Sequence, residues 1–157
     1  MTTTSTDRIE RETEIAAPRT RVWELVTEPG WWINDGELTE HRIEPDGVDR
    51  VLVHDPVHGA FAVRTVTERP QEYVAFRWYS GNGSGVRRGS LTAGASTLVE
   101  FHLTATSPTA TRLRVVESGF DSLDEDASAR RAMFDANTEG WSLELDLARH
   151  GAEAGAA

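Results

Sequence analysis

The segment of residues 115–141 constrains the fold most, because it predicts the end of a strand, a tight turn and the start of the longest helix. The helical pattern continues to about His150. Since the preceding sequence is rich in strands, this helix is the only element long enough to cover a buried sheet face. Positions three to four residues apart form one broad face, which indicates burial. Those positions are Met133, Phe134, Asn137, Trp141, Leu145 and Ala148, with Leu143 and Leu147 beside them.

The sequence before that segment predicts one strand, two short helices and then about six antiparallel strands. The first strand covers Arg8–Ile15, one short helix follows Pro18, and a second helical turn covers residues 31–33. The glycine-rich segment 80–95 predicts a long loop. The fold class is therefore α+β. Alternation of apolar and polar residues predicts the later strands at 38–43, 48–54, 60–68, 72–79, 97–105 and 111–117.

Composition excludes several classes of function. The net charge of −10 would repel a phosphate backbone, so we expect no nucleic-acid partner. No apolar run approaches the ~18 residues of a membrane span, so no membrane insertion is expected. The chain has no cysteine, which excludes disulfides, thiol nucleophiles and Cys-based metal sites. We expect a cytoplasmic protein with one domain, residues 8–150, between flexible tails at 1–7 and 151–157.

Several short motifs follow one another in a set order along residues 8–150. Together they resemble the START-like helix-grip (SRPBCC) superfamily, and most of all bacterial proteins similar to the C-terminal domain of the Hsp90 ATPase activator. The motifs are Ala17-Pro18, Val22-Trp23, Trp31-Trp32, Val66-x-Glu68-x-Pro70, Tyr73-Val74-x-Phe76-x-Trp78, Val99-Glu100-Phe101-x-Leu103, Thr111-Arg112-Leu113, Glu117-Ser118-Gly119-Phe120 and Asn137-Thr138-Glu139-Gly140-Trp141-x-x-Glu144-Leu145, with His150 near the end.

This resemblance implies a helix-grip fold, in which a curved antiparallel sheet of about seven strands wraps around the long C-terminal helix. It also implies a cavity between the sheet and the helix, and it implies no particular reaction. The segment 80–95 is longer than the family pattern leads us to expect, so it could alter access to such a cavity.

The candidate ligand-binding residues follow from that implied cavity. Plain packing in the hydrophobic core is the alternative for each aromatic residue, because each of them buries a large area. The candidates are Trp32, Val53, Phe61, Phe76, Trp78, Phe101, Glu117, Met133, Phe134, Asn137 and Trp141.

Three residues of the long strand–helix segment raise questions of their own. Strict alternation places Glu117 on the inward face, where burial would raise its pKa; alternatively, it sits at the strand end and reaches water or an arginine. Asn137 lies on the buried helix face and needs a partner there, which could be the backbone, Glu117 or a ligand. Gly140 weakens the helix, and we expect it to allow close approach of the helix to the sheet.

Other polar residues predict structure rather than chemistry. His54 and His58 are four residues apart, but the proline and glycine nearby prevent a shared helix, so we predict no metal site and no cofactor. The alternative is a loop metal site that the two histidines form with Asp55. Three further histidines show no evident partner and are expected at the surface, namely His41, His102 and His150. The acidic run at residues 121–126 is expected to cap the long helix.

Three functions remain open at this point. The first is a non-enzymatic protein that binds a hydrophobic, lipid-like small molecule as monomer or homodimer. The second is a cyclase- or hydrolase-like enzyme that uses Glu117 as acid or base. The third is a protein-interaction or stress-related module, for which an exposed Trp31-Trp32 pair would supply an apolar patch.

Overall fold

A computed structural model describes residues 7–80 and 91–156, of which the last two are described for their backbone only. Its strands are β1 (Arg8–Ile15), β2 (Arg42–Pro45), β3 (Arg50–Asp55), β4 (Gly59–Arg69), β5 (Tyr73–Trp78), β6 (Thr97–Ser107) and β7 (Ala110–Ser118). Its helices are α1 (Arg19–Val26), a short 3-10 helix (Phe120–Ser122) and α2 (Ala127–Ala156).

The seven strands form one antiparallel sheet in the order β1-β7-β6-β5-β4-β3-β2. Shifts in register at Thr65/Thr67 in β4 and at Ala105/Ser107 in β6 interrupt the ladder, and such bulges bend strands. α2 lies against the sheet and contacts both β1 and α1. The predicted α+β architecture, a sheet of seven strands gripping one long helix, is therefore confirmed.

Alternation along the central strands explains which face the helix covers. Phe76, Phe101 and Val115 are completely buried, and each points to the same side of the sheet. Aromatic rings fill this interior: Trp32 lies 5.2 Å from Phe76, and Trp141 lies 5.7 Å from Phe101 between ring centroids. The core therefore lies between the inner face of the sheet and α2.

The segment after α1 differs from the prediction. Residues 31–33 form turns rather than a helix, with Trp31 N–H donating to Glu28 O and Ile33 N–H donating to Gly30 O. Gly30 has φ +77°, and a Cβ at this position would lie 2.8 Å from the Val53 methyl carbons. A left-handed residue pressed against β3 turns the chain here and stops a second helix from forming.

The second strand begins later than predicted. The expected strand at 38–43 is wrong for its first four residues, because β2 begins at Arg42 and includes Pro45. Pro45 is tolerated since β2 is an edge strand of the sheet. Every end of the other six strands lies within two residues of its predicted position.

The start and the end of α2 show what determines its length. Gly119 (φ +96°) reverses the chain after β7, as the turn prediction requires. From the acidic run, Asp126 accepts a hydrogen bond from Ala129 N–H at 2.7 Å and so caps the helix. The predicted end at about His150 is wrong, because residues 151–156, expected to belong to a tail, continue α2 to Ala156.

Tertiary contacts hold this extension of the helix. Ala152 is completely buried, and Glu153 accepts a hydrogen bond from Ala16 N–H at 2.9 Å. Gly151 lies directly against the Leu38 side chain, so no larger residue would fit there without movement. At the other end of the chain, Asp7 O accepts from Gly119 N–H, while the rest of the predicted N-terminal tail lies outside the described residues. Most of the predicted loop at 80–95 also lies outside them.

None of the helices in the described part of the chain is both long enough and apolar enough to span a membrane.

Candidate functional site

A cavity of about 220 Å³ lies between α2, the turns after α1 and the ends of β4 and β5. At this size it falls below the ~300–1,000 Å³ of most small-molecule pockets, which favours a ligand of one or two rings. Its polar wall consists of Asn34, His58, Ser80, Asn137 and Glu144. Its apolar wall consists of Trp32, Ile33, Phe61, Trp78, Ala136, Gly140 and Trp141.

The structure brings five of the eleven candidate residues together in this wall. The others lie elsewhere: Phe76 and Phe101 are fully buried in the core, and Val53 is packed beneath Gly30. Met133 and Phe134 lie further toward the start of α2, where Phe134 packs 5.4 Å from Phe120. Glu117 lies behind the wall. The five residues in the wall are Trp32, Phe61, Trp78, Asn137 and Trp141.

Glu117 is the centre of a buried group that we call the Glu117 cluster, made of Glu117, Trp78, Thr97, Asn137 and Trp141. Oε2 of Glu117 accepts hydrogen bonds from Trp78 Nε1 at 3.0 Å and from Thr97 Oγ1 at 2.5 Å. Oε1 accepts from Trp141 Nε1 at 2.8 Å and from Asn137 Nδ2 at 3.1 Å. The predicted inward position of Glu117 and its pairing with Asn137 are confirmed, and the alternative of a solvated strand end is wrong.

The chemistry of the Glu117 cluster favours a structural role. Burial raises the pKa of Glu117 above its usual value, and the four donated hydrogen bonds only partly offset that rise. Both carboxylate oxygens already accept two hydrogen bonds each, so neither has a remaining acceptor position for a substrate. The cluster ties β5, β6 and β7 to α2 through one side chain.

A second carboxylate does line the cavity, within a group that we call the Glu144 cluster: Glu144, Asn34 and His58. Glu144 Oε1 accepts a hydrogen bond from Asn34 Nδ2 at 2.7 Å. His58 Nε2 donates to Asn34 O at 3.0 Å, and its side chain is 42% exposed at the cavity mouth. Burial raises the pKa of Glu144, while the Asn34 hydrogen bond and the electrostatic attraction of His58 lower it by less.

The sequence predictions missed Glu144, although a signal for it existed. Glu144 follows Trp141 by three residues and Gly140 by four, a spacing that places all three on one helix face. Asn34 and His58 gave no such signal, because both lie in connecting segments whose positions depend on distant contacts.

The turn that carries His58 is held by a buried pair. His41 Nε2 lies 2.9 Å from Asp55 Oδ1, and both side chains are 1% exposed, so the predicted surface position of His41 is wrong. Asp55 Oδ2 accepts from the backbone N–H groups of Val57 and His58. Burial raises the pKa of Asp55, but the hydrogen bonds from His58 N–H, His41 and Val57 N–H outweigh it and leave that pKa below its usual value.

The remaining histidines have no shared ligand geometry. His54 pairs with Glu44 at 2.9 Å, and His150 is exposed beside Asp146. His102 contacts Tyr73 with ring centroids 5.0 Å apart and ring planes tilted by 57°. Across residues 7–80 and 91–156, no group of three or more histidine or carboxylate side chains could hold a metal ion.

Gly140 does not have the predicted role. A Cβ at this position would meet no heavy atom within 4 Å, so the glycine is not needed for close approach of α2 to the sheet. It lies in the cavity wall instead, one turn from Asn137 on one side and from Glu144 on the other. The absence of a side chain keeps the space between the two clusters free.

The tryptophan pair after α1 forms no surface patch. Trp31 and Trp32 are each 3% exposed, and their rings meet edge to face at 6.2 Å. An interaction surface built on this pair is therefore contradicted by its burial.

Comparisons with known proteins give structural similarity only. No protein-family model matches the sequence, and no curated protein resembles it significantly. The chain is similar to the di-domain ARO/CYC protein BexL from the BE-7585A biosynthetic pathway, with a TM-score of 0.66, 15% identity and coverage of 91% of this chain and 45% of that one. It is similar to the Zhui aromatase/cyclase from Streptomyces sp. R1128, with a TM-score of 0.61, 19% identity and 93% coverage of both chains.

A third solved structure matches the resemblance seen in the motifs. It is the Aha1 dimer from Colwellia psychrerythraea, with a TM-score of 0.61, 16% identity and coverage of 96% of this chain and 98% of that one. Identities this low carry the fold and not the activity. The chain therefore has the helix-grip fold that these aromatase/cyclase and Aha1 structures share.

Proposed function

We propose that this chain binds a small apolar molecule in the cavity between α2 and the sheet. The observation that carries the proposal is the cavity wall, where three indoles and one phenyl ring surround a space that Gly140 leaves open. Aromatic lining with a few convergent polar groups is typical of small-molecule sites. Similarity to aromatase/cyclase structures supports it, because the names of those proteins imply a small-molecule substrate.

We also propose a family for this chain, on the basis of its sequence motifs. The ordered motifs and the similarity to the Aha1 dimer favour a relative of the Hsp90 activator's C-terminal domain within the SRPBCC superfamily. We place the ligand site of such a relative in the cavity. No described contact favours Glu117 as the acid or base of an enzyme, since Thr97, Trp78, Trp141 and Asn137 occupy its acceptor positions.

The test fills the cavity from the helix side. Gly140→Leu places a branched side chain into the open space and suits a helix better than glycine does. Titration calorimetry with naphthylethanol, a neutral two-ring probe, should give binding to the wild type and none to Gly140→Leu.

The matched control is Ser142→Leu, which adds the same side chain at an exposed position of α2. It should bind naphthylethanol as the wild type does. Far-ultraviolet circular dichroism checks that both variants fold. The proposal fails if the wild type binds neither naphthylethanol nor its amine and acid analogues naphthylethylamine and naphthylacetate, or if Gly140→Leu binds naphthylethanol as tightly as the wild type does.

A further inference from the structure

The polar atoms that remain free in the cavity wall are mostly acceptors. Glu144 Oε2 has no hydrogen-bond partner among residues 7–80 and 91–156, since Asn34 binds only Oε1. Asn137 uses its Nδ2 group for Glu117 and Ser80, which leaves Oδ1 free as an acceptor. The wall thus offers a ligand two amide or carboxylate oxygens.

The remaining polar groups fit this pattern. His58 Nε2 faces the Asn34 carbonyl oxygen, so Nε2 carries a proton and donates it to that oxygen rather than to a ligand. Asn34 has no free donor, because both N–H groups of Nδ2 donate, while its Oδ1 accepts from Thr39 N–H. Ser80 Oγ accepts from Asn137, and its hydroxyl is a donor that the described wall leaves for a ligand. A ligand that donates hydrogen bonds therefore fits better than one that accepts them.

One further donor belongs to a wall residue but is not accessible from the cavity. Trp32 Nε1 has no hydrogen-bond partner in the described part of the chain, yet the atom has less than 1 Å² of accessible surface. A ligand could reach this N–H only if the Trp32 ring moved. The accessible polar surface of the wall is therefore still dominated by acceptors.

The cavity wall also carries a negative charge, which favours a cationic ligand. Glu144 forms no ion pair with any arginine in the described ranges, and the chain contains no lysine. The overall charge of −10 adds a negative field around the cavity mouth. His58 attracts Glu144 electrostatically, but no guanidinium or ammonium group pairs with this carboxylate within the described ranges. A half-buried carboxylate of this kind is stabilised when a cation arrives with the ligand.

The aromatic side chains of the wall also favour a cationic ligand. Trp78 and Trp141 both donate their indole N–H groups to Glu117, so the N–H edges of these rings are already used. Hydrogen bonding to a carboxylate polarises each indole toward a more electron-rich ring. Electron-rich indoles attract cations, and tryptophan is the strongest such partner among the aromatic side chains.

We propose that the ligand is a protonated organic amine, with an apolar body of one or two rings among the aromatic side chains and its ammonium group at Glu144. This inference rests on the proposed function, since it names the chemical class of the molecule bound in the same cavity. Glu144 is then the specificity residue of the site, and the Glu117 cluster holds the aromatic wall in place.

The experiment uses three naphthalenes that differ only in their polar end: naphthylethylamine, naphthylethanol and naphthylacetate. Calorimetry on the wild-type chain at neutral pH should show the amine binding about tenfold or more tightly than the alcohol, as a charge-assisted contact predicts. Naphthylacetate should bind more weakly than both, because it places a carboxylate beside Glu144.

Two variants separate this local effect from general electrostatics. Glu144→Gln keeps an oxygen for Asn34 Nδ2 and removes the charge, so the amine should lose its advantage over the alcohol. Glu139→Gln removes the same charge from an exposed position of α2 and should keep that advantage.

The outcomes distinguish the two proposals. If naphthylethanol or naphthylacetate binds the wild type as tightly as the amine, the amine proposal is overturned while the binding function stands. The amine proposal is also overturned if Glu144→Gln keeps the full preference for the amine. If none of the three probes binds, the binding function itself fails.

Discussion

Glu117 and Glu144 show how two buried carboxylates in one small domain acquire different roles. Burial raises the pKa of both side chains. Glu117 is completely buried on β7 and receives four hydrogen bonds, from Trp78, Thr97, Asn137 and Trp141. Glu144 is partly buried on α2 and receives one, from Asn34.

The number of hydrogen bonds that it accepts, and not burial alone, separates a structural carboxylate from a candidate binding group. A carboxylate whose acceptor positions are all occupied can hold elements together but cannot receive a ligand. A carboxylate with a free oxygen in a cavity wall can. Asn137 links the two regions, because it donates to Glu117 and also lines the cavity.

The largest expected effect comes from removing each carboxylate in turn. Glu117→Leu strands two indole N–H groups and one amide in the core, so we expect a loss of about 3–5 kcal/mol in the free energy of unfolding. Glu144→Leu should change that free energy by less than about 1 kcal/mol, because Asn34 Nδ2 still donates to Trp31 O. Urea unfolding followed by circular dichroism measures both. Similar losses of stability in the two variants would contradict the different roles of Glu117 and Glu144.

A gentler change tests one donor of the Glu117 cluster. Thr97→Val keeps the shape of the side chain and removes the hydroxyl that Glu117 accepts from, so we expect a loss of about 1–2 kcal/mol. Thr104→Val makes the same change at an exposed position of β6 and should stay within about 0.5 kcal/mol of the wild type. If Thr97→Val is as stable as Thr104→Val, the fourth hydrogen bond contributes nothing.

The space between the clusters can be probed at Gly140. Gly140→Ala adds a methyl group that meets no heavy atom within 4 Å. Because no clash opposes it, the higher helix propensity of alanine should stabilise the folded chain. We expect a gain of about 0.5–1 kcal/mol in the free energy of unfolding. Thermal unfolding measures it. A destabilised variant would mean that the helix needs glycine for another reason.

The smallest effect concerns pH. Because the folded pKa of Glu144 lies above the usual 4.5, the folded chain holds a proton at Glu144 more tightly than the unfolded chain does. The stability from this group is therefore fully present below pH 4.5 and is lost as pH rises through the folded pKa. Urea unfolding from pH 4 to pH 8 should show a shallower decline in Glu144→Gln than in the wild type. Glu139→Gln is the control, and equal declines in all three chains would contradict the raised pKa.

Alternation and helical spacing predicted about seven strands, the long helix and the helix face that carries Asn137. Alternation also indicated the inward position of Glu117, but it left a solvated strand end open as the alternative. Both patterns report which face of an element is buried, because side chains follow the period of the backbone. These patterns do not show whether an inward side chain lies deep in the core or at the wall of a cavity. Phe76 and Trp78 therefore seemed equivalent on β5, although Phe76 lies in the core and Trp78 lines the cavity.

Contacts between residues far apart in the chain determined everything else. Glu144 meets Asn34 across 110 positions, and His41 meets Asp55 only once β2 and β3 have paired. The end of α2 depends on Ala16 and Leu38, so no local stop signal marked it. Local sequence determined the elements and their buried faces, since backbone geometry is local. Only tertiary packing decided which polar groups received partners and which one was left facing the cavity.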